Sequence, residues 1–238
     1  MLRRISRVHV IVFEDSSELT PVKGTQFGSN PGGIHLDPAG VKHYVKYYVN
    51  PDQARTEALS AKIFERMGVS TTKPEVRKIG GKHALVSKWI GGLDKFHPAE
   101  LTKDHHEQIS KAYHAAILTK NWDVVGLEHD NLMIHRKSGK IYHIDPGGSF
   151  EFRAQGGHKD YGPDIDEKHS LLKPHLTAGK VFNATFQRHP ASREVGKDAV
   201  RNLDMDAIYD DFKNSGLKNW KQLHQNFVAR RDALLKSE

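Results

Sequence analysis

Two polar residues near the middle of the 238-residue chain have the types and spacing of magnesium ligands. Asp145 follows the mostly apolar run 141–144 and opens an Asp-Pro-Gly-Gly turn, and Asn131 precedes a second apolar run, 132–135. If the two runs pair as a hairpin, Asn131 and Asp145 lie at the same end of it. Magnesium prefers few carboxylates together with phosphate oxygens. The pattern therefore predicts a metal and phosphate site, although Asp-Pro-Gly is also ordinary β-turn chemistry.

A lysine and a glutamate upstream supply two further groups that phosphoryl transfer needs. Lys46 lies in the strand-like run 43–49, and Glu57 falls in the helix predicted to follow it. In the functional interpretation, Lys46 contacts the phosphates of a nucleotide and Glu57 holds Lys46 in place. In the alternative interpretation, Lys46 protects the edge of a sheet and Glu57 is an exposed helix side chain.

A glycine-rich stretch and a loop aspartate complete the set of candidate groups. The stretch runs from Gly24 to Gly33, and its candidate phosphate contacts are Gly28, Ser29, Asn30, Gly32 and Gly33. Glycines let backbone amides approach phosphate oxygens, but a plain hairpin turn has the same composition. Asp123 lies in the loop 121–126 and could orient or deprotonate an acceptor hydroxyl. Asp130 is a rival for that role, and Asp123 could equally be an ordinary loop aspartate.

The elements that would position these groups change in character near residue 92. Before it, strands are predicted at 7–13, 43–49, 73–79 and 84–90, with one helix between Asn50 and Gly68. Asn50 is a good N-cap, and Gly68 is a good helix terminator. After it come a helix capped by Thr102, the strand pair, a long loop and at least two C-terminal helices. We therefore predict an α+β chain.

Composition excludes several classes of function. The chain has no cysteine, which excludes disulfides, thiol catalysis and cysteine-ligated zinc. Its net charge is +7, but the basic residues are scattered, so we expect no nucleic-acid partner. The first apolar run is too short for a signal peptide or a membrane span, so we expect no stable membrane insertion and a cytoplasmic location. The sixteen histidines show no metal-binding spacing, and we interpret them as solvated surface side chains.

Over residues 20–150 the arrangement resembles the protein-kinase-like superfamily. It is most similar to small bacterial and phage-associated kinase-like proteins and to the phosphatidylinositol 4-kinase and HipA-like branches. The resemblance implies a bilobal fold, with a β-rich N-lobe (1–90), a mainly helical C-lobe (91–238) and ATP in the cleft between them. It implies a hinge at 88–92 that brings Trp89 to the nucleotide. It assigns Lys46 and Glu57 to the phosphates, Asp123 to catalysis, and Asn131 and Asp145 to Mg²⁺.

The chain departs from the family pattern at several motifs. There is no His-Arg-Asp triplet, Asp-Pro-Gly replaces Asp-Phe-Gly, and no Ala-Pro-Glu motif follows. Asp123 and Asn131 are eight residues apart (131 − 123), a longer spacing than the family's, so either an insertion absorbs the difference or Asp130 takes the role. The loop 149–173 replaces the usual substrate-docking segment in this interpretation, with Arg153 as a candidate anion contact.

The leading hypothesis is a protein Ser/Thr kinase with a protein substrate and, in one version, an activating partner. A bacterial effector delivered into a host cell is one form of this hypothesis. The alternatives are a lipid or small-molecule kinase, an enzyme that transfers AMP, and a non-catalytic nucleotide-binding module. The joint presence of Lys46, Asn131 and Asp145 argues against the last of these.

Overall fold

The N-terminal part of the chain is an antiparallel sheet with one long helix. The structure, a computed structural model, describes residues 18–26, 30–96 and 98–237. The strands in these ranges are β1 (Thr20–Pro21), β2 (Gly32–Leu36), β3 (Lys42–Tyr48), β4 (Ser70–Thr71), β5 (Glu75–Ile79), β6 (Lys82–Lys88), β7 (Leu93–Asp94), β8 (Leu132–His135) and β9 (Ile141–His143). Five of them form a sheet in the order β1-β2-β3-β6-β5. The strand predicted at 7–13, and Gly28 and Ser29, lie outside the described residues.

Helix α1 (Pro51–Arg66) begins and ends where the sequence predicts. The side chain of Asn50 accepts a hydrogen bond from the Asp52 backbone N–H, which satisfies one of the free donors of the first turn. Gly68 follows the helix with a φ of +77°, a conformation that favours glycine. Leu59 and Ile63 are buried in the main core, where each contributes about 1.5–3 kcal/mol of burial free energy.

A second, four-stranded sheet has the order β4-β9-β8-β7. Strands β8 and β9 are antiparallel, with Leu132 opposite His143, and the predicted hairpin is therefore confirmed. The Ile144 N–H donates to the Asn131 carbonyl at 2.9 Å, so the two chain ends beyond the hairpin stay side by side. Strand β4, which directly follows α1, pairs in parallel with β9. This pairing joins the N-terminal helix to the second sheet.

The C-terminal part is helical. Its helices are α2 (Lys103–Thr119), α3 (Glu167–Ser170), α4 (Thr177–Arg188), α5 (Ser192–Arg201), α6 (Met205–Lys213) and α7 (Trp220–Lys236), and a short 3-10 helix (Pro98–Glu100) precedes them. Thr102 caps α2 as predicted: its hydroxyl accepts from the His105 N–H, and the His105 ring accepts from the Thr102 N–H. The apolar stripe of α2 is buried against the helices that surround it. The division into lobes at residues 90 and 91 stays a prediction.

Helix α1 is bonded to the C-terminal part along its whole length. Near its start, the Gln53 side chain donates to the Gly156 carbonyl at 3.1 Å. In its middle, the hydroxyls of Ser60 and Ser149 are 2.7 Å apart, and both residues are buried. At its end, Arg66 donates to Asp211 of α6. The helix is therefore packed as a part of the C-terminal body as well as of the sheet.

Among the described residues, the interpretation of the histidines as solvated surface side chains is wrong for four. His35, His106, His114 and His143 are buried. His143 stacks on Phe64 with ring centroids 4.2 Å apart, so its ring serves as a flat core side chain. In the described ranges, no helix is both long enough and apolar enough to cross a membrane.

Candidate active site

Lys46 lies at the centre of the site, between two carboxylates. Its Nζ is 2.9 Å from Glu57 Oε1 and 2.9 Å from Asp145 Oδ1. The side chain of Glu57 is 2% exposed and that of Asp145 is 44% exposed. Strand β3 lies between β2 and β6, so Lys46 is not a sheet-edge lysine. Glu57 is buried, so it is not an exposed helix residue. Both alternative interpretations are therefore excluded by the fold.

The pKa values in this triad follow from burial and from the shared cation. Burial disfavours the charge on Lys46, but the attraction of Asp145 and Glu57 outweighs it and raises the pKa of the ammonium. Burial raises the pKa of Glu57, and Lys46 opposes that rise only in part. For Asp145, burial also disfavours the charge, but Lys46 holds its pKa below the ordinary value. Asp145 thus keeps the negative charge that a metal ligand needs.

Asn131 and Asp123 lie together at the end of the hairpin. The Asn131 amide donates to the Asp123 carbonyl at 2.7 Å and to Asp123 Oδ2 at 3.1 Å. A tight turn explains how residues eight apart meet, because Gly126, with a φ of +80°, donates to the Asp123 carbonyl at 3.1 Å. Burial raises the pKa of the Asp123 carboxyl, and the neighbouring charge of Asp145 adds to the rise. A carboxylate with a raised pKa is better suited to accept a proton.

Asp130, the rival candidate, is placed differently. It is exposed, and it lines the cleft next to Asn131. A Cβ added at Gly126 would lie 2.1 Å from Asp130 Oδ1, so the glycine turn also makes room for this carboxylate. The hydrogen bonds of the Asn131 side chain go to Asp123, and this favours Asp123 over Asp130 as the partner of Asn131, the predicted metal ligand.

A cleft of about 380 Å³ opens beside the triad. Its walls come from both sheets and from the connection between β6 and β7, and they include Tyr44, Lys46, Leu85, Trp89, Met133, Ile144 and Asp145. The Tyr44 and Trp89 rings are 6.3 Å apart at the end near that connection. A cavity of this size with apolar walls and a few charged groups at one end fits a ligand the size of a nucleotide. The predicted hinge residue Trp89 thus lies in the cleft wall.

The glycine-rich stretch is the connection between β1 and β2. Gly32 and Gly33 are the first residues of β2 rather than part of a turn, and Gly32 is paired with Lys46. A Cβ at Gly32 would lie 1.9 Å from the Val45 carbonyl oxygen, so this glycine is required by close backbone packing. Asn30 lines a small side pocket of about 60 Å³ together with Glu57 and Asp145. Of the described residues of this stretch, Asn30 and Gly32 therefore lie next to the triad.

The donor set fits magnesium bound together with phosphates. In the ranges that the structure describes, no group of three or more His, Asp or Glu side chains could hold a metal ion. Asp145 and Asn131 offer one carboxylate and one amide at the end of the hairpin, and Asp145 is partly exposed. A Mg²⁺ ion that takes most of its ligands from phosphates and water needs no more than this.

Two residues of the site had no role in the sequence interpretation. The Tyr48 hydroxyl donates a hydrogen bond to Glu57. The only sequence signal for this contact was that Tyr48 lies on the same face of the strand as Lys46. Lys159 is buried, and its Nζ donates to the carbonyls of Lys120, at 2.5 Å, and of Gly148, at 2.7 Å. These bonds join the loop before Asp123 to the loop after Asp145. A lysine in a long polar loop carries no sequence signal for such a role.

Comparison with known proteins gives a fold but no sequence relative. No family model matches the chain, and no curated protein matches it in sequence. The crystal structure of the Helicobacter pylori proinflammatory kinase CtkA matches with a TM-score of 0.59 at 14% identity, over 94% of this chain and 98% of that one. An aminoglycoside phosphotransferase from Alicyclobacillus acidocaldarius matches at 10% identity over 91% and 92% of the two chains, with a TM-score of only 0.35. With its antiparallel N-terminal sheet and helical C-terminal part, the chain has a protein-kinase-like α+β fold.

Proposed function

We propose that this chain is a phosphotransferase that binds ATP with Mg²⁺ and transfers the γ-phosphate to a hydroxyl group. The observation that carries the proposal is the position of Lys46, 2.9 Å from both Glu57 and Asp145 at one end of the cleft. A lysine held between a helix glutamate and an acid at a strand end is the arrangement that phosphoryl transfer uses to hold phosphates and metal together.

In this proposal each group has a separate task. Lys46 binds phosphate oxygens, Glu57 holds Lys46, and Asp145 and Asn131 hold the ion. When bound, Mg²⁺ neutralises charge on the phosphates. Asp123 orients the acceptor hydroxyl and takes its proton. The hydroxyl oxygen forms a bond to the γ-phosphorus while the bond from that phosphorus to the ADP oxygen breaks, and the bonding electrons leave with ADP.

The acceptor in this proposal is a Ser or Thr hydroxyl on a protein. Asp123 is half-buried, but the surface beside it is open, because Trp122 and Leu127 in the same loop are 45% and 84% exposed. An open surface suits an extended segment of another protein, whereas a small acceptor is ordinarily enclosed by its pocket. The sequence resemblance to kinase-like proteins points in the same direction.

The test is a transfer assay with ATP labelled on the γ-phosphate, with Asp145→Asn, Asp123→Asn and Asp130→Asn compared. Asp206→Asn is the matched control, because Asp206 is an exposed acid on α6. We expect no transfer from Asp145→Asn. We expect Asp123→Asn to lose about 100-fold in kcat or more while it still binds ATP, since general-base catalysis contributes about that much. Asp130→Asn should lose much less.

Other outcomes would change the assignment. Transfer of label from the α-phosphate would identify an AMP-transferring enzyme. Transfer to small hydroxyl compounds but not to proteins would identify a small-molecule kinase. If the wild-type protein shows no magnesium-dependent binding of ATP in a thermal-shift assay, the proposed function is wrong.

A further inference from the structure

Three basic side chains lie around the exposed ring of Trp122, which is the neighbour of Asp123. The Lys159 Nζ is 4.8 Å from the ring centroid, the Arg153 guanidinium carbon 5.7 Å, and the Lys120 Nζ 5.9 Å. A cation within about 6 Å of a tryptophan face is attracted by the ring. The ring therefore gathers positive charge beside the residue that the proposed function assigns to the acceptor hydroxyl.

The acidic groups that interact with these basic side chains are Glu167 and Asp123. Glu167 is buried, and it is already shared by Arg230, by Lys120 at 3.7 Å and by the indole N–H of Trp122 at 3.2 Å. Within the described ranges, neither Arg153 nor Lys159 forms an ion pair with any acidic side chain. Burial and the neighbouring cations lower the pKa of the Lys159 ammonium to about 7, and Lys120 is paired with Glu167, so the lasting unpaired positive charge is that of Arg153. An exposed arginine without an acidic partner beside a reaction centre attracts an anionic group.

Arg153 is held in place by an ordered loop. Its N–H donates to the Gly157 carbonyl at 2.7 Å and its carbonyl accepts from the Gly156 N–H at 2.8 Å. The Lys159 N–H donates to the Glu151 carbonyl at 2.9 Å, which closes the loop. The Arg153 side chain is exposed and makes one hydrogen bond, to the His158 carbonyl at 3.3 Å. Most of its guanidinium donors are therefore available to a ligand.

The same loop lies against the catalytic groups. A Cβ added at Gly148 would be 3.5 Å from the Asp123 Cβ, and the Gly148 carbonyl is the one that Lys159 holds. Arg153 also lines the side pocket that contains Asp145. Arg153 thus borders both the Trp122 ring and the side pocket that contains Asp145. Both features lie close to Asp123.

We propose that Trp122 and Arg153 form the acceptor subsite and that the acceptor is an acidic protein segment, with a carboxylate or phosphate near the hydroxyl that receives the phosphate. This inference rests on the proposed function and adds the substrate class to it. The guanidinium of Arg153 binds the anionic group, and the face of the Trp122 ring packs against the segment. Lys159 fixes the two loops between which the segment lies. A basic segment is repelled by the same charges.

The experiment compares three serine peptides of equal length whose flanking residues are all Glu, all Gln or all Lys. We expect kcat/KM to fall in that order for the wild-type protein. Arg153→Gln should lower kcat/KM about tenfold or more for the Glu peptide and much less for the Gln peptide, because it removes a charge-assisted hydrogen bond that only the Glu peptide forms. Arg153→Glu should favour the Lys peptide. These variants should melt like the wild type, since the side chain is exposed.

Arg188→Gln is the matched control for charge. Arg188 is exposed at the end of α4, and its charge helps to lower the pKa of His106 near the start of α2. His106 is about 20 Å along that helix from Lys120, so Arg188 lies far from the proposed subsite. It should leave the peptide preference unchanged.

Three results would overturn the inference while the proposed function stands. They are equal use of the three peptides by the wild type, a preference that Arg153→Gln does not alter, and a rise in the KM for ATP with an unchanged KM for the Glu peptide. The last result would place Arg153 on the nucleotide. Absence of magnesium-dependent ATP binding would instead remove the proposed function, and this inference with it.

Discussion

Replacement of Lys46 by Met tests whether the site is a charge-balanced triad. Met has a similar length and lacks the ammonium, so the change leaves Glu57, which is 2% exposed, without its cation. Loss of one partner of a buried ion pair costs about 3–5 kcal/mol, because the other charge stays buried. Asp145 is 44% exposed, so the loss of the same cation costs it little free energy. We therefore expect a loss of about 3 kcal/mol at pH 8, or about 6–12 °C in Tm for a chain of this size.

The loss should depend on pH with a defined sign. Burial already raises the pKa of Glu57, and Lys46 opposes that rise. Without Lys46, the folded protein holds a proton on Glu57 at pH values where the unfolded chain has lost it, so stability falls as pH rises. The deficit of Lys46→Met should shrink by up to about 1.4 kcal/mol for each pH unit on going from pH 8 toward 5. Lys46 itself stays protonated over this range, since its pKa is raised.

The assay is thermal unfolding between pH 5 and 8.5, alongside the transfer of labelled phosphate. Lys78→Met is the matched control, because Lys78 is an exposed lysine on β5, and its stability should stay within about 0.5 kcal/mol of the wild type. Lys46→Met should transfer no phosphate. The reasoning is refuted if Lys46→Met melts like Lys78→Met at pH 8, if its deficit grows toward acid pH, or if it retains transfer.

Two further predictions concern the scaffold. Burial lowers the pKa of His143 from 6.5 to about 3, so the wild type loses stability as pH falls below 6.5. His143→Leu should lose less stability over the same range. A Tm difference between the two proteins that does not grow in favour of His143→Leu from pH 7 to 4 would contradict this. Gly32→Ala should cost more than about 2 kcal/mol, because its Cβ would lie 1.9 Å from the Val45 oxygen at a φ of +155°. Gly91→Ala has open space and should cost less than about 0.5 kcal/mol in denaturant unfolding.

Local chemistry explains which parts of the fold were predictable from the sequence. Asn50 and Thr102 cap their helices with hydrogen bonds that span two or three residues, so the sequence window contains everything that determines them. The β8–β9 hairpin has a short connection and apolar runs on both sides. Strands β1 and β4 have only two residues each and no periodicity, and their existence depends on partners distant in the sequence.

The candidate site was predictable in composition more than in geometry. Asp145 and Asn131 follow from the hairpin, but the contact between Asn131 and Asp123 depends on the left-handed turn at Gly126. That turn absorbs the additional residues between them, which spacing alone could not show. Lys159 bonds to carbonyls 39 and 11 residues away, and backbone acceptors have no sequence signature. Burial of a histidine such as His143 depends on the whole core and was also not predictable.

The attachment of α1 to the C-terminal part has a consequence for how the cleft can open. Gln53, Ser60 and Arg66 bond the helix to loops and helices beyond residue 145, and β4 continues it into the second sheet. The sheet is bonded to the same helix through Glu57, which accepts from Lys46 and Tyr48 of β3. A tilt of the five-stranded sheet against α1 would therefore break these two bonds, and the distance between Lys46 and Glu57 is a gauge of how far the cleft has opened.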